Sequence, residues 1–350
     1  MSMKAWRHIK KTENPALSGV EPPTRITMTH AIRLIATVFA MLFAAFSAHA
    51  QAYPVKPVRV IITFPAGGAT DIVGRILSAK LQESLGQPFL VENRAGANGN
   101  IGADFVAKAP ADGYTLFHAD LSTLTIGPAV YPKLPFDPID DFTPITLLVN
   151  SPHGIAVHPN FKAQTLAQFI DYAKANPGKV NYAHLGNGSA SHLAGIELAA
   201  RAGVTFTFIP YKGGAPALAD VAGGQADALA IAMVSTYPYV RGGKLRLLGI
   251  TGPNRMSFIP EVPTAIELGY PGFVAGQVQG IFGPKGMSKE IVARLNSELL
   301  KILGDPEMKK RISDLGAEVT PSTPEGLGRF VVEQKAKWAK IVHDHNVKVD

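Results

Sequence analysis

Cysteine is absent from this 350-residue chain. Its absence excludes disulfides, thiol catalysis, zinc–cysteine sites, iron–sulfur clusters and lipid anchoring through an N-terminal cysteine. Long apolar runs are also missing. No stretch reaches eighteen apolar residues, so no segment is expected to be embedded in a membrane. Charge is sparse at 17% Asp, Glu, Lys and Arg, and the formal net charge of +7 is misleading. Residues 1–50 hold six cations (Lys4, Arg7, Lys10, Lys11, Arg25, Arg33) against Glu13 and Glu21. The other 300 residues carry 28 cations and 25 acids with no long run of one sign, which removes the electrostatic motive for nucleic-acid binding. Catalytic signatures are lacking too: there is no G-x-S-x-G elbow, P-loop or H-E-x-x-H. No cofactor and no metal are expected. His153 and His158 have no ligand-spaced partner, and His343-Asp344-His345 reads as a solvated tail.

Two things are present instead. The first is an export signal. Leu34–Phe46 is a thirteen-residue apolar stretch broken only by Thr37, preceded by Arg33 and followed by Ala48-His49-Ala50. This is the order of a secretory signal peptide, and it is too short to span a bilayer. Residues 1–50 are therefore read as signal, with cleavage near Ala50 and the signal proper at 28–50, translation starting at Met28. An exported, unanchored chain without disulfides fits a periplasm.

The second is an alternation of strand and helix. Val58–Phe64 is a β-branched run ended by Pro65-Ala66-Gly67-Gly68, and Ile72, Val73, Ile76, Leu77 and Leu81 then recur at helical spacing. A strand at Phe89–Val91, a helix near 101–108 and a strand at Tyr114–Phe117 follow, which argues for an α/β unit with a largely parallel sheet. The pattern returns with strands at 154–157, 180–183, 205–209, 226–233 and 245–251 and helices at 166–176, 191–201 and 215–222. Two helices close the chain, one capped by Ser288 and ended by Gly304, the other opened by Thr323-Pro324. We read two lobes, 53–150 plus 279–350 and 151–278, joined by two crossovers. In such folds a ligand sits beyond the carboxyl ends of the strands.

Glycine loops stand at those ends. Gly67-Gly68-Ala69-Thr70-Asp71 joins a strand to a helix start, where free N–H groups and the helix dipole favour an anion. Asp71 is open to two readings, a helix cap or a contact through water. Gly188-Ser189-Ala190-Ser191-His192 repeats the device in the second lobe. There Ser191 is either an N-cap or a ligand donor, and His192 is a support or a contact. Asn98, within Gly96–Gly102, and Ser122, in the turn after Phe117 that also holds Asp120 and Thr123, are expected to border the same cleft. Two opposed helix starts make a pincer for a molecule with negative ends. Charged hydrogen bonds of roughly 1.5–3 kcal/mol each can reach the ~8 kcal/mol of a micromolar site without a buried cation.

At these residues the chain resembles the substrate-binding proteins of tripartite tricarboxylate transporters, the Bug proteins. The resemblance rests on Tyr53–Arg59 leading to Phe64–Gly68, Val91–Gly96, Asp112–Leu116, Leu134–Pro138, Gly188–Leu193 and Pro210–Gly214, in that order over about 53–350. It implies a Venus-flytrap periplasmic binding protein that takes a carboxylate and delivers it to permease subunits. It also implies a ligand held at Gly68–Asp71, partly through water, and at Ser189–Ser191. Two departures stand out: Ile231-Ala232 where the family often has Asp-Asn, and Val278-Gln279 where it often has an aromatic pair. With no acid at 231–232 to meet a ligand amine, non-amino carboxylates are favoured. A monomer is expected, and no enzyme. Two alternatives stay open: a ligand sensor signalling through a partner, and a hydrolase using Ser189 with His192.

Overall fold

The structure is a computed structural model that describes residues 53–131, 133–344 and 347. The signal-peptide reading and His345 lie outside the described residues. No helix among the described residues is long and apolar enough to cross a membrane.

The β-branched run at the start forms β1 (Val58–Ile62), flanked in parallel by β2 (Phe89–Asn93) and β3 (Thr115–Asp120). The glycine loop after β1 leads into α1 (Ala69–Leu85), which Gly86 closes in the left-handed conformation. A 3-10 turn at Ala97–Gly99 precedes α2 (Asn100–Ala107), and two one-turn helices, α3 (Ser122–Thr125) and α4 (Gly127–Val130), follow β3. Then comes β4 (Phe142–Val157), sixteen residues long.

The second group contains β5 (Val180–His184), β6 (Phe206–Pro210), β7 (Ala228–Ala232) and β8 (Arg246–Ile250). Its helices are α5 (Leu166–Ala175), α6 (Ala190–Ala202), α7 (Gly214–Ala222) and α8 (Met233–Arg241). The chain returns in β9 (Gly276–Pro284) and ends in α9 (Lys289–Gly304), α10 (Pro306–Asp314), the short β10 (Glu318–Val319) and α11 (Pro324–Asp344).

The strands join as β2-β1-β3-β9-β4-β7-β5-β6, with β8 and β10 also on β4. β4 carries the connection: Phe142–Pro152 pairs with β9, and His153–Val157 pairs with β7 on one side and β8 on the other. This corrects the expectation of a largely parallel sheet. The pairs β1–β2, β1–β3, β5–β6 and β5–β7 are parallel, but every pairing of β4 and β9 is antiparallel. One strand leaves the first group and its neighbour comes back, so the two must run in opposite directions. The fold is thus α/β with a curled, mixed sheet.

Both faces of each half-sheet are covered, as parallel strands require. On β1, Val58 and Val60 pack with Leu77, Leu295 and Leu299, while Ile61 faces Val106, Phe117 and Leu327. On β4, Ile155 and Val157 join Phe169, Tyr182 and Leu198, and Ala156 points to Leu218 and Leu229. Burial of each such Leu, Ile or Val contributes roughly 1.5–3 kcal/mol.

Candidate functional site

Four loops converge where the strands end. At the start of α1, Gly67 adopts φ +79° and Gly68 is extended, with no side chain capping the helix. The loop is held from behind by Asp71. Its Oδ2 accepts from Gly67 N at 3.0 Å, and its Oδ1 accepts from Asn93 Nδ2 at 2.9 Å and lies 2.9 Å from Arg75 Nη2. Burial alone would raise the pKa of Asp71; bonds from Arg75, Gly67 and Asn93 overcome this and hold it below the ordinary carboxylate range.

At the start of α6 the N-cap is Ser189, whose Oγ accepts from His192 N at 3.2 Å. Ser191, the N-cap in one sequence reading, lies inside the helix; its Oγ accepts from Leu185 N at 3.0 Å and pairs with Ser189 Oγ at 3.0 Å. His192 Nδ1 accepts from Gly188 N at 3.2 Å, and its ring stacks on His184 with centroids 4.3 Å apart. Burial lowers both imidazoles, His184 to about 4 and His192 to about 3, the neighbouring His184 adding to the second. With Nδ1 taken by Gly188 N, the His192 ring is not arranged as a base for Ser189.

These loops enclose a cavity. One side is Phe64, Gly68, Ala69, Thr70, Asp120 and Gln277, with His153 at the crossing strands. The other is Leu185, Ser189, Ala190, Ser191, Gly214, Ile231, Ala232 and Ser235. No lysine or arginine lines it. The volume open to water is about 20 Å³, room for roughly one molecule, so the two sides stand closed on each other. Contacts across the gap agree. Asn98 Nδ2 donates to Gly188 O at 3.3 Å, and a Cβ added at Gly188 would come within 2.4 Å of Val130. One added at Gly213 would meet Pro65 at 2.6 Å.

A wider cavity of about 220 Å³ adjoins, lined by Ser122, Asn150, Val278, Phe330, Lys337 and Trp338 among others. Asp120 and Ala190 border both cavities.

Of the residues picked from sequence, Gly68, Ala69, Thr70, Ser189, Ala190 and Ser191 meet in the narrow cavity, and Ser122 lines the wider one. Gly67, Asp71, Asn98 and His192 line neither. Gly67, Asp71 and His192 brace loops, and Asn98 spans the gap. Ile231 and Ala232 do form wall. Of the Val278-Gln279 pair, Val278 lines the wider cavity while Gln279 stands behind Gln277.

Sequence reasoning missed Gln277 and Gly214 and set His153 aside. A signal existed for the first: Gln277 and Gln279 alternate as polar residues in a strand whose other positions are mostly apolar or glycine, and both are buried. His118 Nε2 donates to Gln279 Oε1 at 2.8 Å, Gln279 Nε2 to Gln277 Oε1 at 3.1 Å, and Gln277 Nε2 to Asp120 Oδ2 at 2.6 Å. Burial lowers His118 to about 4 and His153 to about 3, and raises the pKa of Asp120.

The chain matches the tripartite tricarboxylate transporter family receptor over residues 73–347. It is 35% identical to protein BugT of Bordetella pertussis over 325 residues, covering 93% of this chain and all of that one. Its structure is similar to that of the periplasmic binding protein BugD, with a TM-score of 0.81 at 36% identity, covering 85% of this chain and all of BugD. It is also similar to MatC of Rhodopseudomonas palustris with bound malate, with a TM-score of 0.78 at 36% identity, covering 83% of this chain and all of MatC. A further R. palustris protein, solved with adipate, gives 0.83 at 31% identity, covering 85% of this chain and all of that one. With two glycine loops closing over one cavity and a family match across most of its length, the chain belongs to the tripartite tricarboxylate transporter receptor family.

Proposed function

We propose that this protein is a periplasmic solute-binding receptor that captures a small organic acid between its two lobes and delivers it to the membrane permease subunits of a tripartite tricarboxylate transporter. The observation that carries the reading is the meeting of two helix starts, Gly68–Thr70 and Ser189–Ser191, in one cavity without a lysine or arginine. The first N–H groups of a helix have no intrahelical partner, and the dipole adds positive potential there. A carboxylate between them receives donors from both lobes, so binding and closure are one event. The ligands seen with MatC and the adipate-bound relative support a carboxylate. The Ser189 hydroxyl, engaged with Ser191 and the His192 amide, supports capture over hydrolysis.

The test is a thermal-shift and calorimetric screen of mono-, di-, tri- and aromatic carboxylates. At least one is expected to bind at micromolar concentration and to raise Tm. Silence across the panel, or turnover of a bound acid, would overturn the reading. Cell fractionation checks the compartment, and uptake in a strain lacking the protein checks the permease link.

A further inference from the structure

Asp120 ends β3 on the wall shared by the two cavities, so a ligand held by the helix starts and extending into the wider space must pass it. The residue is 5% exposed. Its oxygens accept Ser122 N at 2.9 Å and Gln277 Nε2 at 2.6 Å.

The relay behind it has a single direction. An amide oxygen only accepts, so His118 donates to Gln279, Gln279 to Gln277 and Gln277 to Asp120. Bonds aligned in this way polarise one another and present Asp120 with a strengthened donor. Burial raises the pKa of Asp120, and the donors from Gln277 and Ser122 work against it, favouring the ionised, accepting form. Two protein donors occupy about four lone-pair sites, and no ion pair involves Asp120 among the described residues. His153, which also lines the narrow cavity, is 2% exposed with Nδ1 unpartnered. The closed cleft therefore holds polar groups that the protein itself leaves incompletely bonded.

We propose that Asp120 sets the ligand class, selecting acids that carry a hydrogen-bond donor, a hydroxyl or an ammonium, next to the carboxylate gripped by the helix starts. This rests on the carboxylate reading above. An unsubstituted acid lays C–H against Asp120 and shuts out its water with nothing in return; that desolvation cost falls on the closed, liganded state alone. A vicinal hydroxyl or ammonium removes it. On this proposal the acid that Ile231-Ala232 lacks is supplied by Asp120 instead, so an ammonium is accepted as well as a hydroxyl.

Calorimetry on the mature protein with ligand sets differing only at C2 tests this: succinate, malate and aspartate; glutarate, 2-hydroxyglutarate and glutamate; with benzoate and salicylate as an aromatic pair. Within the set that binds best, the hydroxy or amino member is expected to bind at least about tenfold tighter than the unsubstituted one. Asp120→Asn, checked for an intact melting transition, presents a donor in place of the acceptor and is expected to abolish or reverse that ranking. Equal or tighter binding of the unsubstituted acid to the wild type overturns the proposal, as does a ranking that survives in Asp120→Asn. If that variant does not fold, a liganded crystal structure of the wild type decides by whether the C2 donor lies within hydrogen-bond distance of Asp120. Binding of no carboxylate at all is a different result, and it removes the proposed function itself.

Discussion

The two glycine loops offer the same backbone groups to the cavity but are braced by opposite chemistry. The α1 loop is held by a charged bracket, Asp71 with Arg75, Asn93 and Gly67 N. The α6 loop is held by neutral groups: two serine hydroxyls and an imidazole accepting from Gly188 N. An anion at a helix start needs free N–H groups and a rigid turn, and the source of the rigidity is interchangeable. The side chains nearest a glycine loop in sequence are therefore as apt to be its scaffold as its contacts.

Lowering the pH separates the two braces most strongly. His184 and His192 titrate at about 4 and about 3 when folded, against 6.5 as a reference. The unfolded chain thus binds protons first, and stability falls as pH drops below about 6.5. By pH 5 each imidazole is expected to cost about 2 kcal/mol, with His118 and His153 adding to the loss. Asp71 has the same sign but a lower window, its folded pKa being depressed below the ordinary carboxylate range. Its contribution persists down to its ordinary titration range near 3.8 and is lost only below that. Melting midpoints from pH 7 to 5 should fall, and His192→Asn, which keeps an acceptor for Gly188 N, should flatten the slope. An unchanged slope would show that His192 is not held neutral.

Asp71→Ala should come next, at about 2–3 kcal/mol of stability, because Arg75, Asn93 and Gly67 N lose their acceptor. Chemical denaturation measures it, and a loss under 0.5 kcal/mol would place the bracket among ordinary surface pairs.

Gly188→Ala puts a methyl against Val130 at a left-handed position. Affinity for the best carboxylate should drop about tenfold or more, the φ strain itself costing about 1–2 kcal/mol. Retained affinity would mean that the closed arrangement is not the liganded one.

Ser189→Ala is the smallest. Since Ser189 caps α6, it should cost about 1 kcal/mol in the ligand-free protein as well as weakening binding. A variant that binds less tightly yet melts unchanged would make Ser189 a contact and not a cap.

Much of the scaffold was legible. β1, α1 and the capped α9 follow period and capping rules, because in each the local preference agrees with the burial. The connecting strands were harder to read. Pro144, Asn150, Ser151 and Pro152 interrupt any period in β4, and its strand character comes from partners more than a hundred residues away. α8 was missed because Pro238 sits inside it. At the site, glycine and hydroxyl patterns located both helix starts. Asp120, Gln277 and His153 come from three separate strands, and no local pattern brings them together.

The long ladder between β4 and β9 fixes one wall of the cavity. Hydrogen-bonded strands can twist and flex, but sliding by one residue would turn every side chain to the opposite face, so the register of β4 on β9 is fixed. On that wall Gln277 Nε2 reaches both Thr70 Oγ1, at 3.3 Å, and Asp120 Oδ2, at 2.6 Å. Under the proposed function, half of the recognition surface is thus assembled before any ligand arrives, and capture needs only the α6 side of the cavity to settle onto a finished template.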